Sequence, residues 1–295
     1  MPRKGKESCH AINPAEVMKE TMRILEKCFF KQDGLTVKLD RGRLKSAPDR
    51  AFKYEDCIEA PKPATTRPCC IRLGEDCLDA AAALCAEHPE SVPLVLDFAS
   101  GSNPGGGLKG NQQGTQEEDI CRRTSLLPSL ERQSYPLPRL GGIYAPDICV
   151  FRGPGKIGYP LHRPFWISVL AAEMPNCGDD QKDQDFIARK VRGVLHMAIQ
   201  QGHTSLVLGA WGCGAFGNDP MLVAQIFKAE IAKVGHLDII FALGRSQTAA
   251  FQAVLGLGAG LDSHGPSVQA PAEAKDKDAP EAAKDASTEE VVDEK

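Results

Sequence analysis

From Val92 onward, short apolar runs alternate with longer stretches in which apolar residues return every three or four positions. The runs at 92–99, 143–151, 165–171, 204–210 and 237–243 read as strands. The stretches near 115–127, 183–202, 219–234 and 246–256 read as helices. Upstream, 69–73 has the pattern of another strand and 78–86 that of an alanine-rich helix. Asn13-Pro14-Ala15-Glu16 is a helix start, with an Asn cap, Pro at the first helical position and Glu placed to complete a capping box. Val17, Met18, Thr21, Leu25 and Cys28 then follow at helical spacing. The segment 40–66 is polar and broken by prolines, which predicts a long loop with a short strand. Residues 152–164 and 172–182 hold many Gly, Pro and Asp and predict surface excursions. Strands alternating with helices of this length imply an α/β fold, with a mainly parallel or mixed sheet covered on both faces.

Composition sets further bounds. With 295 residues and 42% apolar content, the chain can bury a substantial core. Its formal charge of −4 is unevenly spread: ten acidic and four basic residues lie between Asp262 and Lys295, which leaves the body slightly positive. A near-neutral body does not support broad nucleic-acid binding through phosphate neutralisation. The stretch 261–295 is rich in Ala, Glu, Asp, Lys and Pro, cannot bury enough apolar surface to order itself, and is expected to be a disordered acidic tail. Residues 1–12 are expected to be a flexible N-terminus, leaving 13–260 as the folded domain. The start Met1-Pro2-Arg3-Lys4-Gly5-Lys6 leads into polar residues rather than an apolar signal segment, and no run is long enough to span a membrane. The 11 cysteines lie mostly among apolar residues, which suits reduced thiols in an intracellular protein, cytoplasmic or nuclear. Cys69, Cys70, Cys77 and Cys85 make no finger-like Cys-x-x-Cys pairs, so no metal site is expected.

Two glycine-rich segments carry the candidate chemistry. Asn103-Pro104-Gly105-Gly106-Gly107 follows the apolar run Val95-Leu96-Asp97-Phe98-Ala99, and eight residues later come Gln116-Glu117-Glu118. Backbone without side chains lets a ligand approach main-chain N–H groups closely, and ligands of open α/β sheets bind at strand C-terminal ends. Gly209-Ala210-Trp211-Gly212-Cys213-Gly214-Ala215-Phe216-Gly217-Asn218 likewise follows an apolar run, and Asp219-Pro220 then starts a helix, offering N–H groups to an anion. The second segment is not a P-loop, because no Gly-Lys-Ser/Thr follows, nor does it combine Gly-x-Gly-x-x-Gly with a strand-to-helix context and an acidic ribose partner. If the two strands are parallel, both loops open on one edge and could clasp a diphosphate.

The order and spacing of Asn103-Pro-Gly-Gly-Gly and Gln116-Glu-Glu resemble the signature of the microbial-type poly(ADP-ribose) glycohydrolases. The segment 209–218 looks like that family's diphosphate loop. Ile143-Tyr-Ala-Pro-Asp147 with Val150-Phe151-Arg152 is similar to its Tyr-Ser-Pro-Asp strand. The similarity spans roughly 14–257. It implies a three-layer α/β/α macrodomain with a central mixed sheet and an N-terminal helical extension, hydrolysing ribose–ribose O-glycosidic bonds of poly(ADP-ribose) to release ADP-ribose. By this resemblance Glu118 is the general acid/base and Glu117 bonds the ribose of the departing unit. Asn103 positions the distal ribose, with Gly105, Gly106 and Gly107 along it and the diphosphate. Gly212, Gly214, Ala215 and Phe216 wrap the diphosphate, and Gln116, Cys213 and Gly217 complete the binding set. No cofactor is implied. The implied partners are poly(ADP-ribose) and ADP-ribosylated proteins, with the chain acting as a monomer that binds neither DNA nor membrane. Two departures stand out: Asp97 stands where many bacterial members have Asn, and 128–140 is longer than a minimal loop.

The chemistry fits these residue types. Cleavage passes through an oxocarbenium-like state, with negative charge developing on the leaving oxygen. One carboxyl group can protonate that oxygen and then activate water, provided the nearby diphosphate stabilises the positive sugar. Sequence neighbours on a helix diverge by about 100°, so Glu117 and Glu118 are expected to have separate roles, and crowding with partial burial should raise one pKa. Other readings remain beside this one. Acidic residues favour a helix's first turn on dipole grounds alone. Cys213 is either a nucleophile or, with no His nearby in sequence, a small packed thiol. Trp211 reads as a loop anchor, and His196 as a helix-face residue. The rival functions are a macrodomain that binds ADP-ribose without cleaving it, and a hydrolase of mono-ADP-ribosylated side chains or ADP-ribose esters.

Overall fold

A computed structural model describes residues 13–56, 69–108, 114–177 and 181–257. The flexible start and acidic tail expected from the sequence lie outside these residues. Helix α1 (Pro14–Lys27) begins at the predicted Asn cap and Pro: the Asn13 side chain accepts from Ala15 N at 3.0 Å, and Val17, Thr21, Ile24 and Leu25 form the buried stripe. Glu16, however, pairs with Lys19 at 2.7 Å rather than completing the expected capping box. A hairpin of β1 (Phe29–Gln32) and β2 (Leu35–Lys38) follows. It was not foreseen, although its two-residue turn Asp33-Gly34 has both φ values positive, the geometry that Asp-Gly favours.

The expected loop at 40–66 is corrected in its first part. Asp40 caps helix α2 (Arg41–Arg50), which buries only Leu44 and Ala47. So polar a segment has no helical stripe of its own; its conformation is held from outside. Arg43 and Arg50 both pair with Asp147, and the Arg43 guanidinium sits 4.2 Å over the Trp166 ring. The short strand β3 (Phe52–Tyr54) was expected, and 57–68 lies outside the described residues.

The remaining elements alternate: β4 (Cys70–Gly74), α3 (Cys77–Glu87), β5 (Leu94–Phe98), α4 (Gln116–Arg123), α5 (Leu126–Glu131), β6 (Gly142–Arg152), β7 (Leu161–Ala172), α6 (Gln181–Gln200), β8 (Ser205–Gly209), α7 (Pro220–Ile231), β9 (Asp238–Ala242) and α8 (Arg245–Leu255). The single helix expected at 115–127 is two. Thr124 is extended and bridges Val150, while its hydroxyl donates to Ile120 O and accepts from Leu126 N, so a strand contact ends α4. Strand β7 also starts earlier than expected, within the predicted excursion, because it pairs with the far end of β6.

The sheet order is β3-β6-β7-β5-β8-β9-β4. β7, β5, β8, β9 and β4 are mutually parallel neighbours, and β3-β6-β7 are antiparallel, so the sheet is mixed. One face packs against α6, α7 and α8, the other against α3, α4 and α5, giving the three-layer α/β/α macrodomain arrangement. A third cluster joins α1, the hairpin and α2 to Cys149 and Phe151 of β6.

Buried arginines tie the layers together. Arg123, 1% exposed, donates to Asp76 at 2.7 Å and Asp119 at 2.8 Å, and its Nε donates to Arg152 O at 3.3 Å. Asp76 also caps α3, and the Arg123 guanidinium helps hold its carboxyl below the usual carboxylate range against the opposing effect of burial. Arg152 reaches Thr21 and Glu20 on α1. Arg123→Met should therefore leave a crowded acidic cluster uncompensated and lower unfolding free energy by about 3 kcal/mol, read by urea denaturation at neutral pH. The loss should shrink as pH falls through the lowered Asp76 pKa, where the protonated acid no longer needs its partner.

Candidate active site

Strands β5 and β8 are adjacent and parallel, so the loops that follow them, 99–107 and 210–218, leave the same edge of the sheet. From β5 the chain moves on to β6 and β7 on one side, while β8 lies on the other; ligands of open α/β sheets bind at such a crevice. The loop roots touch: a Cβ on Gly209 would fall 2.7 Å from the Phe98 ring.

The first turn of α4 is stapled onto β5. Gln116 accepts from Phe98 N at 2.7 Å and donates to Leu96 O at 2.8 Å, bracketing Asp97. Glu117 Oε2 accepts from Ser100 N at 2.8 Å and its Oε1 from Gly105 N at 3.0 Å. Glu118 Oε1 accepts from Gly107 N at 2.9 Å and its Oε2 from Thr115 N at 3.1 Å, the capping-box bond. Both glutamates are 1% exposed. They hold different parts of the glycine loop, as expected of neighbours on a helix. The third constraint is steric. Gly106 has φ +58, and a Cβ there would lie 2.9 Å from Glu117 Oε2, so the carboxylate occupies space that only glycine leaves free. Asn103 is exposed at the loop's outer bend, and its carbonyl accepts from Gly106 N at 3.1 Å.

In the second loop Gly214, Ala215 and Gly217 are exposed and Phe216 is half-buried. Gly212 is buried with φ +77, and a Cβ there would meet Asn218 and Met174. Trp211 is core, its Nε1 donating to Ala172 O at 3.1 Å, in keeping with the anchor reading. Cys213 is packed in the core and burial pushes its thiol up to about 12, which is inconsistent with a nucleophile. Of the binding residues expected from the sequence, Cys213 can therefore offer a ligand only its backbone. Asn218, read as no more than the end of the glycine segment, is buried and joins this loop to the one after β7: it donates to Pro175 O at 3.0 Å and accepts from Cys177 N at 2.8 Å. Asn176 donates in turn to Phe216 O. The only signal for this in the sequence is an amide next to a helix cap.

Burial pushes the Glu117 carboxyl up to about 7, with the N–H groups of Ser100 and Gly105 opposing and the charge of Glu118 adding. Asp97, buried under the same turn, is held well above the carboxylate range by burial and by Glu117. A charged residue inside the apolar run 92–99 was the available signal for that environment. Glu87, His88 and Asp238 form a further group of possible metal ligands, at the N-terminal end of β9 and so away from the glycine loops, but Arg72 already pairs with both carboxylates. Among the described residues, no helix is long and apolar enough to cross a membrane.

Fold and site together define a macrodomain-type α/β/α protein with two glycine loops and a buried glutamate pair at one sheet edge. The family model described as the microbial-type PARG (poly(ADP-ribose) glycohydrolase) catalytic domain matches residues 18–153, which include the first loop and both glutamates. A poly(ADP-ribose) glycohydrolase from Thermomonospora curvata, solved with the inhibitor ADP-HPD, is 27% identical with a TM-score of 0.68, over 81% of this chain and 98% of its own. One from Deinococcus radiodurans, solved in complex with ADP-ribose, is 26% identical with a TM-score of 0.57, over 72% of this chain and 97% of its own. No curated protein matches in sequence. The chain is thus similar to the microbial-type poly(ADP-ribose) glycohydrolases, as its motifs implied.

Gly106→Ala should force a left-handed side chain against Glu117 and cost about 1–2 kcal/mol or more. Gly214→Ala, with open space at its Cβ and no left-handed φ, should stay within about 0.5 kcal/mol of the parent. Thermal unfolding of the two variants side by side checks the contrast.

Proposed function

We propose that the chain is a poly(ADP-ribose) glycohydrolase in which Glu118 is the general acid/base and Glu117 orients the ribose being released. The observation that carries this reading is the clamp itself. Two glutamates in one helical turn hold different N–H groups of a glycine loop, beside a second glycine loop on the neighbouring parallel strand.

In the reaction the acid form of Glu118 gives its proton to the bridging ribose oxygen as the bond from that oxygen to the anomeric carbon breaks. The electron pair stays on the oxygen, which leaves as a hydroxyl, and positive charge spreads over the sugar ring. The substrate's own diphosphate, wrapped by Gly212, Gly214, Ala215, Phe216 and Gly217, stabilises that charge. The Glu118 carboxylate then takes a proton from water, whose oxygen bonds to the anomeric carbon. Glu117, as a carboxylate, accepts from ribose hydroxyls, and Asn103 with Gly105, Gly106 and Gly107 lines the sugar. Gln116 keeps the helix start in place rather than touching substrate, since both ends of its amide are bound to β5. The substrates are poly(ADP-ribose) chains on ADP-ribosylated proteins, and the product is ADP-ribose.

The direct test is release of ADP-ribose from polymer-bearing protein by wild type and Glu118→Gln, with ADP-ribose affinity measured on both. The variant should bind within a few-fold of wild type and lose cleavage by about 100-fold or more. A wild type that binds ADP-ribose but leaves polymer intact would make the chain a reader, or a hydrolase of another linkage. Because Glu117 must be ionised to accept from the ribose, kcat/KM should rise with pH through about 7, the value to which burial pushes it. Glu117→Gln should abolish that limb, as a pH–rate series on both proteins would show.

A further inference from the structure

Asp97 lies on the β5 face that packs against α4, between backbone atoms that Gln116 grips on either side. It is 0% exposed, and neither carboxylate oxygen has a hydrogen-bond partner among the described residues. Glu117, the next residue along α4 from Gln116, has two backbone N–H donors on its carboxylate. The two acids therefore sit in one buried region with all of the hydrogen-bond support on one of them. A buried carboxylate without a donor loses its hydration and gains nothing in return, whereas a neutral acid there costs far less.

We propose that Asp97 is a positioning residue of this site: as an uncharged acid packed behind Glu117, it leaves the pair's single negative charge on Glu117, where the N–H groups of Ser100 and Gly105 hold it for the ribose. The proposal rests on the glycohydrolase reading for its catalytic meaning, but the protonation of Asp97 can be tested without it. The other groups acting on this region point the same way. From α4 come the charges of Glu117 and Glu118, the Cys121 thiol one turn beyond Glu117, and Arg122. From the segment after α5 comes Tyr135, a neutral phenol whose hydroxyl also has no partner among the described residues. Burial holds the Cys121 thiol and the Tyr135 phenol above their ordinary ranges, so both stay uncharged beside the pair. The partner of Asp97 on β7, Ala171, is apolar and lies on the same face. Arg122 is the one cation in this set.

The test compares wild type with Asp97→Asn, which keeps the shape and is uncharged at every pH. An acid whose folded pKa is raised is stable in the fold below its ordinary value near 4 and becomes a burden as pH rises towards the folded value. The Tm of Asp97→Asn minus that of wild type, measured on the ligand-free proteins, should therefore grow between pH 5 and pH 9 by about 3 °C or more. Because Asn and a neutral acid carry the same charge, the rise of kcat/KM through about 7 should stay where wild type has it. Above that rise, wild type should lose kcat/KM as Asp97 ionises behind Glu117, and Asp97→Asn should lose it at higher pH or not at all.

A Tm difference that stays constant with pH would overturn the proposal. So would a downward move of the kcat/KM rise by about one unit or more in Asp97→Asn, because that shift means a charge was removed. Should wild type fail to cleave polymer at any pH, the glycohydrolase reading falls, and the Tm series still decides whether Asp97 is an uncharged acid.

Discussion

The first turn of α4 is the constraint on which the rest of the site depends. Three of its side chains grip backbone: Gln116 takes Phe98 and Leu96 of β5, Glu117 takes Ser100 and Gly105, and Glu118 takes Gly107 and Thr115. A loop rich in glycine would otherwise sample many conformations, and ordering it is costly in entropy. Here the ordering comes from acids inserted beneath it, so the groups proposed for the chemistry are also the groups that shape the glycine loop. This coupling is why glycine is required at Gly106, where a side chain would collide with Glu117.

Helix α4 also arranges charge. Its first turn carries Glu117, Glu118 and Asp119, and its last carries Arg122 and Arg123, in the sense the helix dipole favours at both ends. The basic end is neutralised by the acids Asp76 and Asp119 and fastened to β6 through Arg152. Glu117 and Glu118 at the acidic end have backbone N–H groups in place of cations. A carboxyl group held by N–H donors and buried next to another acid can change protonation near neutrality, while one locked to an arginine cannot. The arginine end and the glutamate end of one short helix thus differ in what compensates their charge.

How legible these features were in the sequence varied with where the stabilisation comes from. The β5 and β8 loops, their strand context and the glutamates were readable because glycine runs and paired acids are local patterns, complete within a few consecutive residues. Helix α2 was not, because its residues bury almost no apolar stripe and are held by Asp147 and Trp166, about 100 positions away. The end of α4 at Thr124 was missed for a related reason: a strand contact with Val150 overrides a helical pattern that continues through it. Cys213 could be either thiol nucleophile or packing until its burial was known.

By itself the sequence determined the alternation of strands and helices, the two glycine loops, and the identity of the acids beside them, since each follows from local spacing and residue type. The tertiary structure decided that the loops share one edge, that Glu117 and Glu118 grip different N–H groups, and that Asp97 lies buried behind Glu117 with no donor among the described residues. Those facts depend on which strands become neighbours and which atoms lose water, and neither is a property of any short stretch of chain.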